Sequence, residues 1–385
     1  MISTPIYLDH NATTPVDPRV LQVMLPYFTE KFGNAASVDH DFGHEAKQAV
    51  DHAREQIADI INAQPDEIIF TSGATESDNI ALFGVAEKYT YKGDHIITCV
   101  TEHKAILDCC KRLEAMGKRV SYLPVDHYGQ IDLDELRHAI TPKTILISLM
   151  IANNEIGTLA PMREIGEIAR AHNVLLHTDA AQAVGHIPVD VQTMNIDIMS
   201  LSAHKVYGPK GIGALYRRRS NPRVNLAPVI YGGGHERGLR SGTLNVPGIV
   251  GFGEAVRIAK RQMATEAKQF RMWTERIYSC LADKLSEVCI NGHPEQRLPH
   301  TLNVSLVGTE SKALIVRLKD VALSVGSACT SAAVEPSHVI LALGYGEDRA
   351  HNAIRIGVGR TNTDEQIEVA IARIVEAANL VRHMH

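Results

Sequence analysis

The run Val174-Leu-Leu-His-Thr-Asp-Ala-Ala-Gln182 decides the fold, read with its two neighbours. Before it stands the amphipathic Arg163-Glu-Ile-Gly-Glu-Ile-Ala-Arg-Ala-His172, and after it Ile196-Asp-Ile-Met-Ser-Leu-Ser-Ala-His-Lys205. Short apolar runs without alternation, spaced by helical patterns, predict strands buried on both faces of a mostly parallel sheet. Further runs at 67–71, 95–100, 120–125, 144–152 and 211–216 extend this alternation over residues 46–218, beginning with a helix at 46–62 that aligns Val50, Ile57, Ile60 and Ile61. After Thr243 the texture changes. A long helical pattern runs from Val246 towards Val288 into a mixture of strands (300–307, 353–358) and helices. The final helix opens on the capping box Thr363-Asp-Glu-Gln366. At 385 residues the chain exceeds the usual size of a single core, so two α/β domains are expected.

A net charge of −5 offers no basic field to nucleic acid or an anionic membrane. The cluster Arg217-Arg218-Arg219 is expected to be a solvated strand end. Residues 1–7 lack a secretory pattern, and the longest apolar stretch, 144–152, is too short to span a bilayer. Six cysteines without a Cys-x-x-Cys pair predict no disulfide framework and no zinc site, and fit a reducing cytoplasm.

Three features carry chemistry. Lys205 leaves an apolar strand, a setting where a partly desolvated amine becomes a nucleophile fit to form a Schiff base. Asp179 ends another such strand, and ligands of open parallel sheets sit at the carboxyl ends of strands. A carboxylate there can keep a pyridine nitrogen protonated. Ile69-Phe-Thr-Ser-Gly-Ala-Thr-Glu-Ser-Asp-Asn79 runs from strand through a small-residue turn into a helix, whose free N–H groups make a phosphate cradle. Phosphate cradle, ring acid and lysine in one domain point to pyridoxal 5'-phosphate (PLP). Singly, a snorkelling lysine, a capping aspartate and an ordinary strand–helix turn remain the plain alternatives.

Cys329 lies in Gly326-Ser-Ala-Cys-Thr-Ser-Ala-Ala333, where small residues flank it on both sides; an exposed, reactive thiol is expected there. Cys99 sits instead in the apolar Ile96-Ile-Thr-Cys-Val100; it and Cys109, Cys110, Cys280 and Cys289 are expected to be ordinary core or surface residues.

Nearly end to end the chain resembles the cysteine desulfurases of the NifS/IscS type, class V aminotransferases of the PLP fold-type I superfamily. The matching words include Tyr7-Leu-Asp-His-Asn-Ala-Thr-Thr14, Thr71-Ser-Gly-Ala-Thr-Glu-Ser-Asp-Asn79, Thr101-Glu-His103, Asn153-Asn-Glu-Ile-Gly157, Ala203-His-Lys205, Arg240-Ser-Gly-Thr243 and Gly326-Ser-Ala-Cys-Thr-Ser331. The resemblance implies an aspartate aminotransferase-like α/β fold, with a large PLP domain at 15–255 and a smaller α+β domain from 1–14 and 256–385 that bears the cysteine. It implies that Lys205 holds PLP, Asp179 meets its ring nitrogen, Gln182 its ring oxygen, and His103 its face, with Asn154 nearby. Ala74, Thr75, Ser202 and His204 would hold the phosphate with Thr243 of the partner subunit, and Arg355 the substrate carboxylate. The implied reaction turns L-cysteine into L-alanine and leaves the sulfur as a persulfide on Cys329. The implied partners are a second copy of the chain and a U-type iron–sulfur scaffold or another sulfur acceptor.

The chain departs from the family at Ala35, where proline is usual, and at Ala181, where threonine is common. It stops at His385, four residues past the final helical pattern, so an acceptor is expected to dock around residues 324–336 and not at the chain end. Selenocysteine lyase, an aminotransferase of the same fold, and a non-catalytic assembly subunit are the rival readings. The last has no reason to keep Lys205, Asp179, His103 and Cys329 together.

Overall fold

The computed structural model describes residues 5–326 and 336–383. Twelve strands are present among them: β1 (Ile6–Tyr7), β2 (Ile68–Thr71), β3 (His95–Cys99), β4 (Arg119–Leu123), β5 (Thr144–Ser148), β6 (Leu175–Asp179), β7 (Ile198–Ser202), β8 (Gly213–Arg217), β9 (Val288–Ile290), β10 (Thr301–Leu306), β11 (Val321–Ala322) and β12 (Ala353–Gly357).

Seven of them form one sheet in the order β2-β8-β7-β6-β5-β3-β4. The β7–β6–β5–β3–β4 block is parallel, and β8 runs antiparallel to both its neighbours. Every residue of β3, β5, β6, β7 and β8 is buried, which is why these strands read as unbroken apolar runs. The run 144–152 yields a shorter strand than expected, because beyond Ser148 the chain turns to bring Met150, Ala152 and Asn154 to a cavity.

β8 also corrects the reading of Arg217 and Arg218. They are 9% and 6% exposed, and only Arg219 reaches solvent. β8 is an inner strand whose end is covered by chain from both sides. Arg218 donates from Nη2 to Val191 O at 2.7 Å and Ile196 O at 2.9 Å, and from Nη1 to Gln192 at 2.8 Å; Arg217 donates to Val224 O at 3.3 Å. These arginines satisfy loop carbonyls that burial would otherwise strand.

A second sheet, β12-β10-β9, is antiparallel. Its apolar cluster joins Leu302, Val304, Ile354 and Ile356 to Ile6, Leu8 and the final helix, Asp364–Arg382. Thr363 Oγ1 caps that helix by accepting the Gln366 N–H at 3.2 Å. The helix Val246–Lys284 serves both cores: Phe252, Val256 and Ala259 pack with the large sheet, while Phe270, Trp273 and Ile277 pack with the small one.

Gly213 of β8 lies against the turn that precedes the helix Ala74–Lys88. A Cβ on it would stand 2.5 Å from Leu201 O and 2.6 Å from the Gly73 Cα, both backbone atoms that cannot swing aside. Gly213→Ala therefore forces β8 away from the turn. The expected cost is about 1–3 kcal/mol, read as a lower urea midpoint at unchanged m.

Candidate active site

A cavity of about 490 Å³ opens at the carboxyl ends of the parallel strands, within the usual range for a cofactor site. β6 and β7 are neighbours in register, with Asp179 opposite Ser200, so β6 ends at Asp179 and β7 runs two residues further to Ser202 at the same edge of the sheet. The chain then turns through Ala203–Lys205 and delivers the lysine to the same mouth. His103, Asn154, Asp179, Gln182, Ser202, His204, Lys205, Ala74, Thr75 and Arg355 all line the cavity. Thr243 does not line it within this chain; it is exposed, consistent with a role towards a second copy. Cys329 lies outside the described residues.

Lys205 Nζ donates to Asn11 O at 2.6 Å and Ala12 O at 2.8 Å. Gln182 also holds this segment, donating to Asn11 O at 3.0 Å. Asp179 is buried and accepts the Ala181 N–H on Oδ1 at 2.8 Å. Desolvation raises its pKa; the Ala181 bond and the charges of His103 and Lys205 act against that rise. Asp78 also lines the cavity and is fully buried, and desolvation, with the Asp179 charge added, holds its carboxyl well above the usual range.

His103 caps the helix Lys104–Ala115 by accepting the Ala105 N–H on Nδ1 at 3.1 Å. Neutral His103 thus carries its proton on Nε2. Burial lowers its pKa, with Lys205 and His338 adding to the effect and Asp179 and Glu155 opposing it. His204 Nδ1 lies 3.1 Å from Thr13 Oγ1, and burial with Lys205 and Lys210 pulls its pKa down to about 4.

Arg355 is 2% exposed in the middle of β12. It donates from Nη1 to Asn154 O at 2.9 Å and from Nη2 to Asp9 Oδ1 at 2.8 Å, while Nε is buried without a partner among the described residues. Arg355 is thus ion-paired with Asp9, and its fork still lines the cavity.

These residues fit PLP. The helix Ala74–Lys88 starts without a side-chain cap, and space within 4 Å of a Cβ on Gly73 is empty, so its first-turn N–H groups can take a phosphate. An amine and a buried acid face the same space. Asp9, Asn11, Ala12, Asp78 and Glu102 went unassigned in the sequence. The polar Asp9-His10-Asn11, directly after an apolar start, was the available signal for the first two.

An open, mostly parallel α/β sheet with this lysine, acid and uncapped helix start at its strand ends defines a PLP enzyme of fold-type I. The family model Aminotransferase class-V matches residues 6–369, and the chain belongs to that family, whose members use PLP. It is 50% identical over 383 residues to the cysteine desulfurase IscS of Rickettsia conorii, covering 100% of this chain and 93% of that one. It is 52% identical to the cysteine desulfurase IscS of Anaeromyxobacter dehalogenans over 380 residues, covering 99% and 94%. Among solved structures, a NifS-like protein superposes with a TM-score of 0.91 at 39% identity, covering 98% of this chain and 100% of that one. SspA in complex with cysteine gives 0.82 at 39% identity, covering 92% and 98%.

Proposed function

We propose that the chain is a cysteine desulfurase that converts L-cysteine to L-alanine and passes the sulfur, held as a persulfide on Cys329, to an acceptor protein. The observation that carries this reading is the meeting of Lys205, Asp179, His103 and Arg355 around one cavity, in a chain about half identical to named cysteine desulfurases.

When bound, PLP supplies an electron sink for the charge left on the substrate Cα. Lys205 Nζ would hold the cofactor and move the Cα proton. Asp179 would keep the ring nitrogen protonated, Gln182 would hold the ring oxygen, and His103 would lie against the ring and assist proton transfer, with Asn154 nearby. Ala74, Thr75, Ser202 and His204 would bind the phosphate with Thr243 of the partner subunit. Arg355 would exchange Asp9 for the substrate carboxylate, using its planar guanidinium fork. The Cys329 thiolate would attack the substrate sulfur: an S–S bond forms, the C–S bond breaks, and its electron pair returns to the carbon skeleton, where protonation gives alanine.

Leu25, Phe28, Phe32, Val38 and Phe42 are exposed together near the start of the chain, and the Phe32 and Phe42 rings stack at 5.3 Å. This surface supports a homodimer. Two apolar clusters, which change over within the helix Val246–Lys284 between Ala259 and Phe270, support two domains, proposed at 15–255 and at 1–14 with 256–385. The sulfur would serve iron–sulfur assembly on a U-type scaffold, or thiolation, in the cytoplasm; no described helix is long and apolar enough to cross a membrane.

Release of alanine and, with a reductant, sulfide from L-cysteine by the PLP-loaded protein is the test; its absence sinks the reading. Arg355→Lys replaces a planar fork with a point charge. It should raise KM for cysteine by on the order of tenfold, the loss of one charged hydrogen bond, with a smaller change in kcat.

A further inference from the structure

Glu155 follows Asn154 along the cleft and is 1% exposed. Its position is fixed from several sides. Asn153 Oδ1 accepts the Glu155 and Ile156 N–H groups at 2.9 and 3.1 Å, Asn153 Nδ2 donates to Thr101 O at 2.9 Å, and Asn303 Nδ2 donates to Glu155 O at 3.1 Å. A carboxylate this buried needs a reason, since desolvation opposes it.

That carboxylate is bonded to Ser337 and lies near Gly326, the described residues close to either side of residues 327–335. On one flank, a Cβ on Gly326 would stand 3.3 Å from Glu155 Oε2 and 3.8 Å from Ser337 Cβ, so the Gly326 backbone runs close to both and a side chain there would press on the carboxylate. On the other, Ser337 Oγ donates to the same Oε2 at 2.5 Å, the length of a charge-assisted bond. Each flank is also tied to the cavity. Ser324 pairs with Arg355 through both backbone bonds, at 3.3 and 2.7 Å, and its hydroxyl donates to Gly326 O at 3.1 Å. Ser337 Oγ caps the helix His338–Ala342 by accepting the Ile340 N–H, and His338 Nε2 lies 3.1 Å from Glu102 O, one residue before His103. In the sequence Cys329 comes three residues after Gly326.

We propose that Glu155 is a positioning residue for sulfur transfer: by binding Ser337 at Oε2, close to Gly326, it fixes the described chain from which Cys329 is carried, beside Arg355 and His103. The inference rests on the desulfurase reading. Glutamate suits the role better than glutamine because the ionised oxygen makes the stronger bond to the Ser337 hydroxyl. Its charge also acts on His103. The groups that act on that imidazole are Asp179 and Glu155, which raise its pKa, and Lys205 and His338, which lower it, beneath the larger lowering by burial.

The test uses PLP-loaded wild type, Glu155→Gln and Ser337→Ala. Alanine formation is followed against cysteine concentration and pH, and iodoacetamide modification of Cys329 by mass spectrometry. Both variants should keep the cofactor absorbance and a KM within about twofold, lose about tenfold in kcat from misplacement of the nucleophile, and alter the rate of Cys329 modification. Glu155→Gln alone should also move the acid limb of the profile to lower pH, because removing a negative charge lowers the His103 pKa. Ser337→Ala keeps that charge and should leave the limb in place. A merely space-filling Glu155 would give neither the split between kcat and KM nor the shifted limb. Wild-type kcat and an unmoved limb in Glu155→Gln overturn the inference. If that variant fails to load PLP, wild-type kcat and modification rate in Ser337→Ala overturn it instead. A wild type that makes no alanine overturns the desulfurase reading itself.

Discussion

Cys329→Ser should stop sulfide release from L-cysteine while the protein still takes up PLP and still binds substrate. A hydroxyl cannot form the S–S bond that removes sulfur from the substrate, so the fall should be a thousandfold or more, on the order seen when a catalytic nucleophile is removed. No other described cysteine can take over. Cys99, Cys109 and Cys110 are buried, and burial pushes their thiols up to about 11, 12 and 12, which leaves almost no thiolate near neutral pH. Cys280 is on the helix Val246–Lys284 and Cys289 on β9, and neither lines the cavity. Cofactor uptake should survive because every proposed PLP contact comes from residues other than Cys329. The measurement is paired: absorbance of the bound cofactor, and sulfide released with dithiothreitol present. Wild-type sulfide release from the serine variant would place the nucleophile elsewhere.

The large sheet was legible because burial on both faces writes strands as apolar runs. The strand-end rule then places Lys205 and Asp179 at one mouth from the sequence alone. Their adjacency is a matter of register, Asp179 beside Ser200 on neighbouring parallel strands. The misreading of Arg217 and Arg218 has the opposite cause. A cluster of charges normally marks a solvated end, and nothing local announces that β8 is an inner strand whose end lies under residues 190–197 and 220–226. The contacts of Arg355 with Asp9, 346 residues away, and of Lys205 with Asn11, 194 away, were equally hidden. Periodicity reports what happens within one element; these pairs exist only because β1 and the residues after it are drawn against β11 and β12.

Lys205→Ala should be the other severe variant, and it separates cofactor binding from chemistry. The substitution removes the amine but leaves the uncapped helix start, Ser202, His204, Asp179 and Gln182 in place, so PLP should still enter, held less tightly and without a covalent link to the chain. Turnover should fall by a thousandfold or more, since the group proposed to move the Cα proton is gone. Lys205→Arg restores the positive charge beside Asn11 O and Ala12 O but, always protonated, cannot act as a nucleophile. It should therefore be as inactive as the alanine variant. If arginine rescues activity, the lysine serves as a charge and not as an amine. The decisive readout is chemical. Borohydride treatment of the PLP-loaded wild type, followed by peptide mapping, should place the reduced cofactor on Lys205 and give no labelled peptide from either variant. Lys210 lines the same cavity five residues on and is the internal control. Label on Lys210 in the wild type would move the attachment point past the turn that β7 leads into, and the roles assigned to Lys205 would fall with it.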